Sequence, residues 1–292
     1  MTMSSSSSGA EPVLAATKGR VVPSSISQVG TITKYEMLNY FRSRRFFVLL
    51  IIDVIIAGLI TALVGYYGVS SIGVTTALQF YSFMWASFIP LVTILAGIFF
   101  GGDAISGEFQ NKTGYFLVAN PLRRSSIYIG KWLGAFIASM IVFAVFAGIT
   151  VGNAVYYFGL SIPYAFVESL LFSILYLMAV LGLTFLFSAL FKSSAMAITV
   201  TAILFLFVFS LLQTVLNGLL GIEPWFIITY GAGIIGNVLA DQYPTTQAVR
   251  GIGGRERTVY AVSIPAGLAI LLGYFIITAV LGLIVFERRE FT

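Results

Sequence analysis

The sequence predicts an all-α membrane protein with six transmembrane helices. The first observation is composition, because 59% of the 292 residues are hydrophobic and only 9% are charged. A typical soluble domain carries about 25% charged residues, so this chain could not cover its own surface in water. The second is a set of six long apolar runs, and the third is the uneven placement of Lys and Arg between them.

Each apolar run has about the 20 residues that a helix needs to cross a hydrocarbon layer of about 30 Å. The third and fourth are long enough to tilt in the bilayer or to extend beyond it. The predicted spans cover residues 46–66, 83–101, 132–158, 164–190, 195–220 and 262–286.

The basic residues predict the orientation of the spans. Of the 16 Lys and Arg residues, all except Arg250, Arg255 and Arg257 fall on one side when six spans are drawn. Cytoplasmic loops carry the excess of Lys and Arg in membrane proteins. We therefore expect a multi-pass protein of the cell membrane with both termini in the cytoplasm.

The amino-terminal part of the chain divides into two segments. Residues 1–25 are rich in Ser and lack a long apolar run, so we expect a disordered tail before a six-span domain over 26–292. The tail does not have the pattern of a signal peptide, and the run that starts at Phe46 is expected to act as a signal anchor. Residues 26–45 mix apolar and basic side chains, which favours an amphipathic helix at the cytoplasmic interface. The alternative is a simple flank of the anchor.

The segment between spans two and three predicts a cytoplasmic helical hairpin. Apolar residues and one Lys stem recur there at helical spacing, and Asn120-Pro121 is a typical start of a second helix. The residues at helical spacing are Ile105, Phe109, Lys112 and Phe116.

Two carboxylates stand where span two leaves the membrane, Asp103 and Glu108. Ionisable groups at that depth are costly unless they are paired. They form either a charged relay or docking surface, or ordinary charges that flank a membrane span. The candidate partners are Lys112, Arg123, Arg124 and Lys131.

Inside the spans, Asp53 is the one clear carboxylate far from an outer end, about two turns into span one. An intramembrane acid is a candidate for proton coupling, and the alternative is an ion pair with Arg44, Arg45 or a neighbouring span. The chain has no Cys and no His, which excludes thiolate and imidazole metal sites and His-based catalysis. The absence of a charged stripe disfavours an ion channel and favours an apolar or amphipathic substrate.

The outer segment between spans five and six has two parts. Residues 221–240 are apolar and rich in Gly, which predicts a re-entrant or interfacial pair of helices. Residues 241–257 are polar and predict an exposed loop. Two pairs of glycines have the spacing that allows close helix packing, namely Gly97 with Gly101 and Gly148 with Gly152. We expect any such packing to join spans of one protomer, and the alternative is a chance spacing.

The segment after span two resembles the ABC-2 type permease family, the membrane subunits of ATP-driven exporters. That family shows an acidic pair, a Gly-Thr-like pair, a Pro with a basic or Ser residue, and a Gly-Lys that enters span three. Here the Thr-Gly pair has the reverse order. The matching residues are Asp103, Glu108, Lys112-Thr113-Gly114, Asn120-Pro121, Arg124-Ser125 and Gly130-Lys131.

The resemblance covers about residues 30–292, including a basic ending after span six. It implies that the loop 103–131 is a coupling segment that docks on a separate ATPase. It also implies a second permease, either an identical copy or a homologue. The residues that the resemblance assigns to coupling are Asp103, Glu108, Lys112, Thr113, Pro121, Arg124 and Lys131.

The sequence contains no phosphate-binding loop. Gly130-Lys131 is followed by Trp132 and lacks the earlier Gly that would complete the backbone cradle for an ATP phosphate. The chain is therefore expected to bind no cofactor and not to be an enzyme. ATP and Mg²⁺ would be held by the partner ATPase, and no nucleic acid partner is expected.

Two other classes of function stay open at this point. An autonomous secondary transporter would use Asp53 as a proton site, although neither inverted repeats nor broken spans are clear in the sequence. A membrane enzyme acting on lipid would depend on Asp103 and Glu108, whose flanks offer neither a phosphate loop nor a metal triad. The substrate itself cannot be read from the residues.

Overall fold

The computed structural model describes residues 24–111, 122–250 and 256–289. Two strands, β1 (Gln247–Arg250) and β2 (Glu256–Val259), pair in antiparallel register. The helices, in chain order, are α1 (Ser25–Arg42), α2 (Arg44–Tyr67), α3 (Ala77–Gln110), α4 (Arg124–Phe158), α5 (Tyr164–Leu190), α6 (Ser194–Leu220), α7 (Ile228–Gly231), α8 (Ile234–Asn237) and α9 (Ile264–Arg288).

Within the described residues, six helices are long and apolar enough to cross a membrane, namely α2 to α6 and α9. This confirms the prediction of an all-α membrane protein with six spans. The predicted bounds agree within a few residues except at both ends of α3 and at the start of α4. Helix α3 begins several residues before the predicted span and continues beyond it to Gln110. Helix α4 begins several residues before its apolar run because its first turn carries polar side chains, Arg124, Ser125 and Ser126.

Helices α3 and α6 contain π-helical turns. In α3 these turns are Ser82–Ala86 and Gly97–Gly101, between α-helical parts Ala77–Tyr81, Ile89–Ala96 and Ser106–Gln110. Pro90 lies in the first turn of the middle part, where its missing N–H interrupts the regular hydrogen-bond pattern. In α6 the α-helical parts are Ser194–Ile203 and Phe209–Gln213, and the π-helical turns are Leu204–Val208 and Thr214–Leu220.

Helix α5 lies at the centre of the bundle, against α3 on one side and α9 on the other. The backbones approach closely where α3 has glycine, since a Cβ at Gly97 would lie 2.5 Å from the Val180 Cγ1 atom. Gly101 packs against Thr184 of α5 in the same way. The first predicted glycine pair therefore packs spans within the protomer. Gly148 and Gly152 have no atom within 4 Å of an added Cβ.

Helix α1 precedes the first span and begins at a Ser24 side chain that accepts a hydrogen bond from the Ser27 N–H at 3.3 Å. Apolar residues of α1 such as Ile26 and Tyr35 are exposed. This agrees with an amphipathic helix beside the span. The predicted disordered tail lies outside the described residues, except for Ser24 and Ser25.

Two short helices and a hairpin connect α6 to α9. Helices α7 and α8 bury apolar side chains against α5 and α9, and the Ser169 hydroxyl of α5 donates to the Ile235 carbonyl at 2.6 Å. The predicted exposed loop over 241–257 differs from the structure, which pairs Gln247 with Val259 and Ala248 with Thr258. Val and Thr favour strands, and this preference outweighs the polar composition of the segment.

Candidate functional site

Five charged side chains from four helices meet beside α1. They lie on α1 itself and near the ends of α2, α3 and α4 that are closest to it. We call this group the polar cluster. It contains Glu36 of α1, Arg45 of α2, Asp103 and Glu108 of α3, and Lys131 of α4.

Helix α1 reaches the cluster because it packs directly on two glycines of α4. A Cβ at Gly130 would lie 2.7 Å from the Ile32 Cβ atom, and one at Gly134 would lie 2.7 Å from the Glu36 Cβ atom. The Thr33 hydroxyl also donates to the Gly130 carbonyl at 3.2 Å. The close approach brings the Glu36 carboxylate beside Lys131, which stands between the two glycines.

Lys131 is the buried centre of the cluster, with 5% of its surface exposed. Its ammonium forms ion pairs with Glu36 and with the Glu108 Oε1 atom, the latter at 2.7 Å. A buried ammonium is costly without such partners, and removing one member of a buried pair is strongly destabilising. The prediction that Lys131 is among the partners of Glu108 is confirmed. The pairing of Glu36 with Lys131 is not predicted from the sequence.

Asp103 pairs with Arg45, which was not among its predicted partners. The chain turns at Ser43 between α1 and α2, and this turn places Arg45 beside the end of α3. Next to this pair, the Tyr40 hydroxyl donates to the Phe100 carbonyl at 2.8 Å. Burial raises the pKa of Tyr40 well above its usual value, and the carboxylates of Glu36 and Asp103 raise that pKa further.

The last turn and a half of α3, Ser106–Gln110, is bonded to two further spans. The Ser188 hydroxyl oxygen near the end of α5 accepts hydrogen bonds from the Ile105 N–H at 2.9 Å and from the Ser106 N–H at 3.0 Å. The Gln110 side-chain oxygen accepts a hydrogen bond of 2.8 Å from the Ser194 N–H, at the first turn of α6. This segment therefore contacts α4, α5 and α6 through hydrogen bonds or ion pairs.

The end of α9 joins the same region. The Arg289 guanidinium lies over the Phe109 ring, 4.0 Å from its centroid, and donates to the Phe191 carbonyl at 3.1 Å and to the Ala189 carbonyl. Burial lowers the pKa of Arg289. Arg124 donates to the carbonyls of Glu287 and Arg289 at 2.7 and 2.9 Å. The structure therefore shows Arg124 bound to the end of α9.

Two cavities flank the ion pairs of Lys131. One has a volume of about 480 Å³ and lies along α1, with walls such as Ile32, Tyr35 and Ile127. The other has a volume of about 280 Å³ and is polar, with Asn39, Asp103 and further members of the polar cluster in its walls. The cluster is thus accessible from two sides although its lysine is buried.

Three predicted coupling residues, Lys112, Thr113 and Pro121, lie outside the described residues, as does most of the predicted hairpin. Two features in the sequence could have pointed to the unforeseen contacts. Glu36 is the single acidic residue in the basic segment 26–45, and Gly134 follows Gly130 at the spacing that allows close helix packing.

Asp53 lies apart from the polar cluster. Only 1% of its surface is exposed, and neither carboxylate oxygen has a hydrogen-bond partner among the described residues. The alternative of an ion pair with Arg44, Arg45 or a neighbouring span is not formed among the described residues, and Arg45 binds Asp103 instead. No group of three or more His, Cys, Asp or Glu side chains within the described ranges could hold a metal ion.

Comparison with known proteins identifies the chain. A search of curated proteins found no match. A family model described as an ABC-2 family transporter protein matches residues 31–291, which is nearly the whole sequence and contains all six spans. The chain therefore belongs to the ABC-2 transporter family, and it is a multi-pass membrane permease of that family.

Proposed function

We propose that this chain is the permease subunit of an ATP-driven exporter and that a separate ATPase docks on the loop 103–131. The observation that carries this proposal is the bonding of Ser106–Gln110. Glu108 pairs with Lys131 of α4, and Gln110 binds the first turn of α6. A displacement of this short segment would therefore reach several spans directly.

The physical basis is that packed interiors and buried ion pairs rearrange between discrete states and do not deform continuously. A force on the end of α3 would disturb two contacts at the same time. Glu108 would move relative to Lys131, and Gln110 would move relative to Ser194. The loop 103–131 would supply the ATPase contact. Lys112, Thr113 and Pro121 belong to that proposed contact, together with Asp103, Glu108, Arg124 and Lys131.

ATP and Mg²⁺ would bind to the partner ATPase, since the sequence has no phosphate-binding loop. In ATPases of this kind two subunits act together, so a second permease, identical or homologous, would complete the transporter. The excess of Lys and Arg on one side supports cytoplasmic termini in the cell membrane. The apolar spans favour an apolar or amphipathic substrate.

The first experiment is copurification of the tagged chain from its native membrane in mild detergent, followed by an assay for ATP hydrolysis. We expect a stoichiometric ATPase that is lost or weakened in Glu108→Ala. Glu168→Ala, at the opposite end of the bundle in α5, is the matched control and should retain the ATPase. A stable chain without an ATPase in several mild detergents would contradict the proposal.

A second candidate function is an autonomous proton-coupled transporter, and the burial of Asp53 favours it. A carboxylate in an apolar interior without a hydrogen-bond partner is costly in its charged form, which makes such an acid a candidate for carrying a proton. Uptake of protons by liposomes that contain the purified chain alone would support this function. Asp53→Asn should then abolish the proton flux, whereas an exporter driven by an ATPase would tolerate the same substitution.

A further inference from the structure

The residue that follows α9, Arg289, contacts two other segments of the chain at once. Its Nη1 atom donates to the Phe191 carbonyl at 3.1 Å and to the Ala189 carbonyl. Its Cζ atom lies over the Phe109 ring, 4.0 Å from the ring centroid. The guanidinium therefore connects the end of α9 both with the end of α5 and with the Ser106–Gln110 segment of α3.

The chemistry of a helix end explains why an arginine suits this place. The last four carbonyls of a helix lack an N–H partner within the helix, and the partial negative charge there attracts a cation. Helix α5 ends at Leu190, so the Ala189 carbonyl is one of these four. A guanidinium holds several N–H groups in one plane and can also lie on an aromatic ring. A lysine ammonium carries the same charge without this geometry.

A second arginine caps α9 in a similar way. Arg124, the first residue of α4, donates to the carbonyls of Glu287 and Arg289 at 2.7 and 2.9 Å. The start of α4 therefore holds the end of α9, and the end of α9 in turn holds α5 and Phe109. Two arginine caps in series thus join α3, α4, α5 and α9 at one end of the bundle.

Helix α9 is also packed closely along its length. A Cβ at Gly182 of α5 would lie 2.5 Å from the Thr278 Oγ1 atom of α9. Near the start of α9, a Cβ at Gly267 would lie 2.3 Å from the Ile234 Cγ2 atom of α8. Because close packing transmits strain, a displacement at the end of α9 would reach α8 near its start.

We propose that Arg289 is a positioning residue that makes α9 move together with the Ser106–Gln110 segment. The inference rests on the proposed docking of an ATPase beside that segment. A force on the segment would pass through Phe109 and Arg289 to the ends of α5 and α9, in addition to the ion pair of Glu108. Helix α9 would then carry the displacement to α8.

Spin labels on the two segments test whether they move as a unit. The purified chain, which has no Cys of its own, is labelled at Asn111→Cys and Glu287→Cys, two exposed positions, and combined with its ATPase. Electron paramagnetic resonance then measures the distance between the labels, first without nucleotide and then with ATP and vanadate. We expect a narrow distance distribution that ATP and vanadate leave unchanged. Arg289→Gln should broaden this distribution and allow it to shift, whereas Arg288→Gln, at an exposed position, is the matched control and should not.

A pair of substitutions at Phe109 tests the ring contact. Phe109→Leu removes the aromatic face and keeps an apolar side chain, whereas Phe109→Tyr keeps the face. We expect Phe109→Leu to broaden the distribution as Arg289→Gln does, and Phe109→Tyr to retain the distribution of the unmodified chain. ATP hydrolysis, which a general loss of structure would reduce, should persist in all of these variants.

The outcomes separate this inference from the proposed function. If no ATPase binds the unmodified chain, the proposed function fails and the coupled motion fails with it. If the ATPase binds and hydrolyses ATP while Arg289→Gln and Phe109→Leu keep a narrow distance that ATP and vanadate do not change, only the role of Arg289 is overturned.

Discussion

At the scale of single residues, the main feature is one buried lysine between two carboxylates. The sequence is sufficient to foresee that Glu108 needs a cation and that Lys131 is a candidate. It does not reveal Glu36, because Glu36 is 95 residues away from Lys131 and on a helix that lies outside the six spans. The same limit applies to Asp103, whose partner Arg45 depends on the turn at Ser43.

Replacing the lysine should be far more harmful than replacing a surface charge. In Lys131→Met, the carboxylates of Glu36 and Glu108 lose their shared cation while they stay partly buried. We expect the free energy of unfolding to fall by about 3–5 kcal/mol, measured by denaturant or thermal unfolding in detergent. Adding Glu36→Gln and Glu108→Gln to the same chain should restore part of the loss. An unchanged midpoint for Lys131→Met would mean that the pairs contribute nothing to stability.

At the scale of elements, helix contacts rather than hydropathy decide where α1 lies. The amphipathic pattern of residues 26–45 is sufficient to predict a helix beside the membrane. It cannot show that α1 packs on α4, because this contact depends on the absence of a Cβ at Gly130 and Gly134. The π-helical turns of α3 and α6 are equally invisible in an apolar run, since they depend on local packing of the surrounding spans.

A pair of glycine variants in α4 tests this packing. Gly134→Val places a side chain against the Cβ of Glu36, whereas Gly148→Val places the same side chain where no atom lies within 4 Å. We expect Gly134→Val to lower stability by about 1–3 kcal/mol and to make α1 more accessible to protease. Gly148→Val should behave like the unmodified chain in both assays. Equal behaviour of the two variants would argue against close packing of α1 on α4.

The contact between α3 and α6 makes a separate prediction. Gln110→Ala removes an acceptor from the first turn of α6, where backbone N–H groups lack partners within the helix. We expect a loss of about 1 kcal/mol in stability and, if the segment transmits motion, a larger fall in transport than in ATP hydrolysis. Asn111→Ala, also exposed and next in sequence, is the control. A parallel fall of both activities would show that Gln110 does not act in transmission.

At the scale of the whole molecule, composition and the placement of basic residues are sufficient to predict six spans and most of their bounds. The segment between α6 and α9 is harder to predict. The sequence predicts a loop over 241–257, yet β1 and β2 pair there, with Gln247 opposite Val259 and Ala248 opposite Thr258. Strand pairing depends on partners at a distance in the chain, and a polar composition carries little information about it.

Helix α6 connects the two ends of the molecule. Gln110 binds its first turn, and near its other end Asn217 donates to the Tyr260 carbonyl at 2.9 Å and accepts from the Tyr260 N–H at 2.7 Å. Between these points few of its residues are buried in the protomer. A displacement at Gln110 would therefore move α6 as a unit, and Asn217 would transfer it to the segment between β2 and α9.

Asn217→Ala should separate β2 and the segment that follows it from α6. Two hydrogen bonds between the Asn217 side chain and the Tyr260 backbone, of about 1 kcal/mol each, are lost, so we expect faster amide exchange at Tyr260 and in β2. Exchange at Ser194 should be unchanged because the Gln110 contact is about 35 Å away along α6 at about 1.5 Å per residue. Asn217→Asp keeps the acceptor and should protect the Tyr260 N–H. If exchange in β2 is unaffected by Asn217→Ala, the hairpin is held by other contacts and α6 does not couple the two ends.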